Sequence, residues 1–169
     1  FLQAKVGYAS YNARNYNLIL HLPLRNFRQK FSFAYNKAEG YFRNLYDSNR
    51  KSNPSDSYNL HYQGNLYTDN NWKIAIGADF NHSFDGGYAY HVLDSLRINR
   101  YRVNYNTPSS YKRDLLSSSV NFSKKGRVLA LNGVSSYSWS KDKQMLDADF
   151  THLDVFDNNK KSRQHLFTQ

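Results

Sequence analysis

The chain has no cysteine and only three prolines and one methionine in 169 residues. Without thiols, neither a disulfide framework nor a thiolate metal site is available. Long hydrophobic runs are also missing. No window approaches the run of about eighteen apolar residues that a membrane-crossing helix needs, and mean hydropathy is −0.81. That excludes a helical membrane protein but not a membrane β-barrel, whose alternating strands average out to polar. The opening Phe1-Leu2-Gln3-Ala4-Lys5 has no basic start, apolar run or small-residue cleavage site of a signal peptide. The chain therefore reads as mature, or as a piece of something longer.

Catalytic constellations are equally scarce. The six histidines, His21, His61, His82, His91, His152 and His165, are scattered, with no metal-ligand spacing and no general-base motif. The carboxylate pairs Asp147/Asp149 and Asp154/Asp157 fall in polar loop sequence, where solvated acids are the simpler account than a glycosidase pair. Asn81-His82-Ser83 matches an N-glycosylation triplet that arises often by chance. Gly86-Gly87 lacks the strand-to-helix context of a phosphate loop. The expectation is a non-enzyme with no catalytic residue, no metal and no cofactor.

What the chain has in quantity is aromatic residues, 15 Tyr and 11 Phe, and positive charge, a net +10. Arg97, Arg100, Arg102, Lys112 and Arg113 interleave with Tyr101, Tyr105 and Tyr111, a mixture that also suits single-stranded nucleic acid. The cations fall between and at the ends of strand patterns, and no recognition helix, RRM or zinc finger accompanies them. The reading is therefore no nucleic acid, and a rim of cations facing water or lipopolysaccharide phosphates.

One stretch organises the rest. From 72 to 84, Trp72, Ile74, Ile76, Ala78, Phe80, His82 and Phe84 alternate with Lys73, Ala75, Gly77, Asp79, Asn81 and Ser83, the period-two pattern of a strand with one apolar face. Its length matches the about 9–11 residues of a tilted transmembrane strand rather than the roughly 5–6 of most soluble ones. Aromatic side chains stand at both ends of the apolar face, where rings sit at the headgroup levels.

Further strands read at 3–11, 16–22, 27–37, 58–67, 115–123 and 127–141, and another begins at 163–169. Residues 12–14, the segment from Pro23, Thr68-Asp69-Asn70-Asn71 and Lys124-Lys125-Gly126 form short connections. Long polar loops are expected near 38–56, 85–111 and 142–162. From the second strand onward, short and long connections alternate, so every short turn falls at one end of the sheet and every long loop at the other. That asymmetry is the outer-membrane signature of short periplasmic turns and long extracellular loops.

The fold class is thus all-β: an antiparallel up-and-down transmembrane β-barrel, partial, with about seven to eight strands of a larger barrel. Residues 1–169 form that one partial barrel domain. A soluble barrel or sandwich also alternates, with its apolar face inward. Strand length, aromatic placement and loop asymmetry favour the membrane. Expected girdle residues are Tyr35, Tyr58, Trp72, Phe80, Phe84, Tyr137 and Trp139. His61, Gln63, Lys73, Asp79 and Asn81 would line a wet lumen. A Lys or Arg on the lipid face near midplane would cost about 2–4 kcal/mol, and none falls at the middle of an assigned apolar face.

Several segments resemble a family. Val6-Gly7-Tyr8-Ala9-Ser10-Tyr11-Asn12, the run from Tyr16 to Pro23, and the run from Phe31 through Ala38-Glu39-Gly40-Tyr41-Phe42-Arg43-Asn44 look like the early barrel of TonB-dependent outer-membrane receptors. The stretch from Asp79 to Tyr88 and the closing run from Asp154 to Gln169 are similar to later segments of that barrel. Ala9, His21-Leu22-Pro23 and Ala38-Glu39 depart from the family pattern. The resemblance implies a fragment, lacking plug, TonB box and terminal aromatic strand, of a transporter in the cell outer membrane for active uptake of a scarce ligand. It implies as partners the plug of the same chain, the TonB complex, membrane lipids with lipopolysaccharide, and a small molecule such as a ferric siderophore. Tyr88, Tyr90, His91, Arg97, Arg100, Tyr101, Arg102 and Tyr105 are the candidate ligand residues, since cations and aromatic faces suit an anionic chelate; the same residues would also suit a lipopolysaccharide-binding rim. The alternatives are a small complete eight-stranded outer-membrane barrel with a structural or adhesion role, and a soluble β-barrel binding module.

Overall fold

The computed structural model describes residues 1–47, 51–87, 102–103, 109–147, 153 and 157–169. Its main element is one eight-stranded antiparallel sheet in which each strand pairs with the next long strand in the chain. In order these are β1 (Leu2–Ala9), β2 (Ala13–Pro23), β3 (Phe27–Ala38), β6 (Ser55–Tyr67), β7 (Trp72–Gly86), β9 (Ser110–Lys125), β10 (Ala130–Asp147) and β11 (Asp157–Thr168). A small second sheet of order β5-β4-β8 is built from β4 (Phe42–Asn44), β5 (Lys51–Ser52) and β8 (Arg102–Val103). There is no helix among the described residues. The fold is all-β and up-and-down, as the alternation predicts. The sheet stays open, with β1 and β11 at its edges.

The short connections show why the chain reverses where it does. Between β1 and β2, Tyr11 and Asn12 both take positive φ (60° and 55°), and Ala13 N–H bonds Ser10 O at 3.2 Å. Two successive left-handed residues give the turn twist that matches two paired strands. Pro23 closes β2 because it cannot donate to a ladder, and Leu24 N–H bonds Phe27 O at 3.0 Å. In the β6–β7 turn, Asn71 is left-handed (φ 59°), and the Thr68 hydroxyl accepts from Trp72 N–H at 3.3 Å. The side chain that closes this turn is therefore threonine rather than an Asx residue.

The strands are longer than their alternation suggests, chiefly at the long-loop end. β9 begins at Ser110 rather than 115, β6 at Ser55 rather than 58, and β10 runs to Asp147 rather than 141. The expected loops at 38–56, 85–111 and 142–162 shrink accordingly, and the first of them contains β4 and β5. Lys112, Arg113, Asp114, Lys141, Asp142 and Lys143 break the apolar pattern there, yet their backbones continue the ladder. Backbone pairing does not require an apolar face, so a strand leaving an apolar layer keeps its hydrogen bonds while its side chains turn polar.

Register places the two faces consistently across all eight strands. On one face lie Val6, Tyr16, Leu18, Leu20, Phe31, Phe33, Leu60, Tyr62, Ile74, Ile76, Phe80, Leu116, Val120, Phe122, Tyr137 and Trp139. Among the described residues, no second layer covers it. Val6, Leu60 and Leu131 are 66%, 49% and 53% exposed, and the largest fully buried side chains are Asn44, Asp147 and Ser52. Accessible surface is 12381 Å², whereas a compact chain of 19.8 kDa would leave about 8,600 Å². The described residues contain no apolar core.

Local packing on the apolar face is aromatic. Phe31 and Tyr62 meet at 4.8 Å, and Trp72 and Phe122 at 6.3 Å. Gly133 stands opposite Phe122, whose ring occupies the space of the absent side chain: a Cβ there would lie 2.2 Å from the ring. Gly133→Val is therefore expected to cost about 1–3 kcal/mol by overpacking, read as a lower urea midpoint at unchanged slope. Gly7→Val, which meets mainly the flexible Asn15 side chain, is expected to cost less.

Candidate functional site

The face opposite the apolar one is built of short polar side chains in cross-strand rows. One row runs Gln3, Ile19, Ser32, His61, Asp79, Ser117, Ser138, and the next runs Lys5, Asn17, Ala34, Asn59, Asn81, Leu115, Ser140. His61 and Asp79 are directly opposite on β6 and β7, with Nδ1 and Oδ1 2.5 Å apart and both side chains substantially exposed. Beside them the Asn81 amide donates to the Asn59 side-chain oxygen. A shallow recess of about 390 Å³ opens along these rows, lined by Gln3, Lys5, Asn17, Ser32, Asn59 and His61. The five expected lumen residues, His61, Gln63, Lys73, Asp79 and Asn81, all share this face. His61–Asp79 and Asn59–Asn81 are two separate bonded pairs in adjacent rows, and Lys73 lies apart, its ammonium 5.8 Å from the Tyr67 ring.

The long-loop end carries a second recess, about 640 Å³, lined by Lys37, Glu39, Lys51, Asn53, Pro54, Asp56, Phe84, Ser109, Ser110 and Met145 among others. Its wall is the β4–β5 hairpin. Gly40, at φ 91°, lets Tyr41 N–H reach Ser52 O at 3.2 Å; a Cβ on Gly40 would stand 2.1 Å from the same oxygen, so only glycine fits. Glu39 ties this hairpin to the β1–β2 turn. It accepts from the Asn12 amide, and from the Lys51 ammonium at 3.1 Å. The Asn12 bond, helped by Lys51, holds the Glu39 carboxyl below its ordinary value of 4.5. The recess therefore presents two ammonium groups and two carboxylates around an apolar floor, which suits a ligand that is polar at its edge and flat or apolar in its body.

Of the expected ligand residues, the structure positions one. β8 pairs in parallel with β4, Arg102 opposite Arg43, which brings the Arg102 backbone beside the hairpin that walls the recess. Tyr88, Tyr90, His91, Arg97, Arg100, Tyr101 and Tyr105 lie outside the described residues. The recess residues Lys37, Glu39, Lys51 and Asp56 had no motif to announce them. They meet only through long-range register and a bond between positions 12 and 39.

The girdle residues separate into groups. Tyr35 and Tyr58 are cross-strand neighbours in a row with Tyr16 and His82; Tyr16 stacks on Tyr35 at 6.1 Å, and Tyr58 on His82 at 4.7 Å. Trp72 stands at the short-turn end with Phe122 and Phe27, neither of which the alternation singled out. Phe84 lies one step beyond His82 toward the long loops. Phe80, Trp139 and Tyr137 lie one or two rows inside the tyrosine row. His82 Nδ1 lies 2.5 Å from Asp114 Oδ1, the side chains 13% and 20% exposed, so these two polar side chains on the apolar face satisfy each other. Among the described residues, no three His, Asp or Glu side chains gather as metal ligands. Comparison of the chain with protein-family models, curated proteins and solved structures finds no match.

The Glu39 clamp carries a pH dependence of known sign. A lowered carboxyl pKa means that the folded state favours the ionised form, so its contribution is complete above the ordinary glutamate value and is lost as pH falls through the lower folded value. As pH falls below the ordinary glutamate value of 4.5, amides of the β4–β5 hairpin are expected to lose protection, relative to their intrinsic exchange rates, more than amides of β7. Glu39→Gln should remove that difference.

Proposed function

We propose that this chain is a stretch of outer-membrane β-barrel wall belonging to a TonB-dependent receptor that captures a scarce anionic ligand, a ferric siderophore or similar iron chelate, for active uptake. The observation that carries the membrane part is the uncovered apolar face, held in a single register across eight strands and backed by a face of Ser, Asn, Gln and His. A soluble sheet with such a face needs a second layer, and an exposed apolar area this large calls for lipid or a partner. The length of β7, fifteen residues, is in keeping. At about 3.3 Å per residue and a tilt of about 40° it rises roughly 38 Å, more than the about 25 Å apolar band of such barrels. Its ends would therefore pass the edges of that band and lie at the headgroup level.

The receptor part of the reading rests on the family resemblance of the strand-and-turn segments, on the one-sided long loops, and on the cationic and aromatic loop residues. The open edges at β1 and β11 suit a wall within a barrel of about 22 strands. A closed eight-stranded barrel would pair them. In this reading the plug gates the lumen and the TonB complex supplies the energy. The chain's own residues line the wall with the His61–Asp79 and Asn59–Asn81 pairs and offer cations to the ligand at the loop end.

Because the chain has no native cysteine, single cysteines report each face directly. In phospholipid vesicles, Gln63→Cys and Ser119→Cys should react with a water-soluble maleimide at least about tenfold faster than Ile76→Cys and Val120→Cys, following lumen and lipid alternation. Equal rates, or cooperative folding in plain buffer, would overturn the membrane assignment. For the ligand step, replacing Arg97, Arg100 and Arg102 together with alanine is expected to weaken capture of an anionic ferric chelate by whole cells about tenfold or more, since each charge-assisted bond contributes about 1.5–3 kcal/mol. Unchanged capture would remove the loop from the site.

A further inference from the structure

On the apolar face, the long-loop ends of β9, β10 and β11 bring five cations together. Lys112, Lys143 and Lys161 are direct cross-strand partners, and in the adjacent row Lys141 stands opposite Arg163. Side chains in such positions have Cβ atoms about 5 Å apart, and like charges facing each other there are destabilising. The nearby carboxylates are engaged elsewhere. Asp114, the acid in the Lys141–Arg163 row, is paired with His82. Asp142 points to the other face, where it accepts from Arg113 at 3.0 Å and from the Tyr111 hydroxyl at 2.6 Å. Among the described residues, no ion pair reaches any of the five cations.

The patch borders the apolar band directly. One row further in on the same face come Leu116, Trp139 and His165, followed by Tyr137 and Phe167. A ligand seated on the cations would therefore continue onto aromatic and aliphatic surface. Apolar chains below and multiple anionic oxygens above describe a lipid with a phosphorylated headgroup. Several ammonium groups and one forked guanidinium spread over three adjacent strands and two neighbouring rows favour a headgroup carrying more than one phosphate over a single carboxylate.

We infer that Lys112, Lys141, Lys143, Lys161 and Arg163 form a binding site for the headgroup of a multiply phosphorylated membrane lipid on the outer wall of the sheet. The inference rests on the membrane reading proposed above. The bound phosphates supply the counter-charge that the protein itself withholds from this row, so the upper part of β9–β11 is completed by lipid.

The test compares phosphatidylcholine vesicles with vesicles in which about one-fifth of the lipid is bis-phosphorylated lipid A, both carrying brominated chains. Trp72→Phe leaves Trp139, next to the patch, as the only indole reporter. Expected is quenching of Trp139 in both vesicle types, with at least about tenfold tighter association to lipid A vesicles, an advantage that about 0.5 M salt largely removes. Lys143→Gln/Lys161→Gln/Arg163→Gln should cut the advantage to about twofold. The control Arg28→Gln/Lys30→Gln/Lys125→Gln, which removes the same charge from the opposite face, should retain it. Quenching with equal affinity for both vesicles, or equal loss in the two triple variants, overturns the lipid site while leaving the membrane reading in place. No quenching of Trp139 in either vesicle overturns both. The salt dependence of the unsubstituted patch is a readout that depends on no lysine or arginine variant folding.

Discussion

A one-residue slip at any of the seven strand pairings would invert every side chain on one side of the slip. Leu60 would face His61's present neighbours, and Asn81 would sit among Leu116 and Phe33. Everything else in the structure depends on that parity being kept from β1 to β11. It is enforced locally, by turns whose geometry admits one register. Tyr11 and Asn12 supply two left-handed residues, Pro23 ends a ladder, and Thr68 with Asn71 closes a four-residue turn. It is reinforced across strands by pairs that exist only in register: Phe31 with Tyr62, Tyr58 with His82, His61 with Asp79. The sheet has no core to correct an error, so its specificity is carried by turns and cross-strand pairs.

The two faces differ in kind as well as in polarity. Aromatic rings and branched aliphatics on one side can be satisfied by any apolar medium, because dispersion and hydrophobic transfer have no direction. The other side is a set of directed bonds, in which each Asn, Ser or His needs a particular partner or water. A sheet of this construction would suit a boundary between a medium that asks nothing of geometry and one that rewards it. On the apolar side too there is a directed contact, between His82 and Asp114 at 2.5 Å.

Strand identity and face parity were legible in the sequence because period two is a purely local signal. The run from Trp72 to Phe84 announces itself, and so does the alternation around His61. The strand ends were not legible. Lys112 and Asp114 fell outside the strand reading and Lys143 read as loop, since polar side chains on both faces erase the periodicity while leaving the backbone ladder intact. The loop-end recess was hidden for a different reason. Asn12, Glu39 and Lys51 come together only after β1 and β2 reverse and the β4–β5 hairpin folds back, and no local window contains that geometry. Phe27 and Phe122 were missed because each stands near a turn, where a single ring looks like an interruption rather than part of a row.

Every long strand pairs with the next long strand in the chain, so the sheet can grow by adding one hairpin to a finished edge. Such a meander keeps contact order low for a β protein, and its slow steps should be the closures at the three longer connections rather than any distant docking event. The growing edge is also a template open to any extended segment. During synthesis or transport, β1 and β11 would pair with another copy as readily as with their proper neighbours. A sheet assembled this way needs its edges escorted until the next strand arrives, and its five facing cations at β9–β11 give that late edge a repulsive collar against premature pairing with a second basic chain.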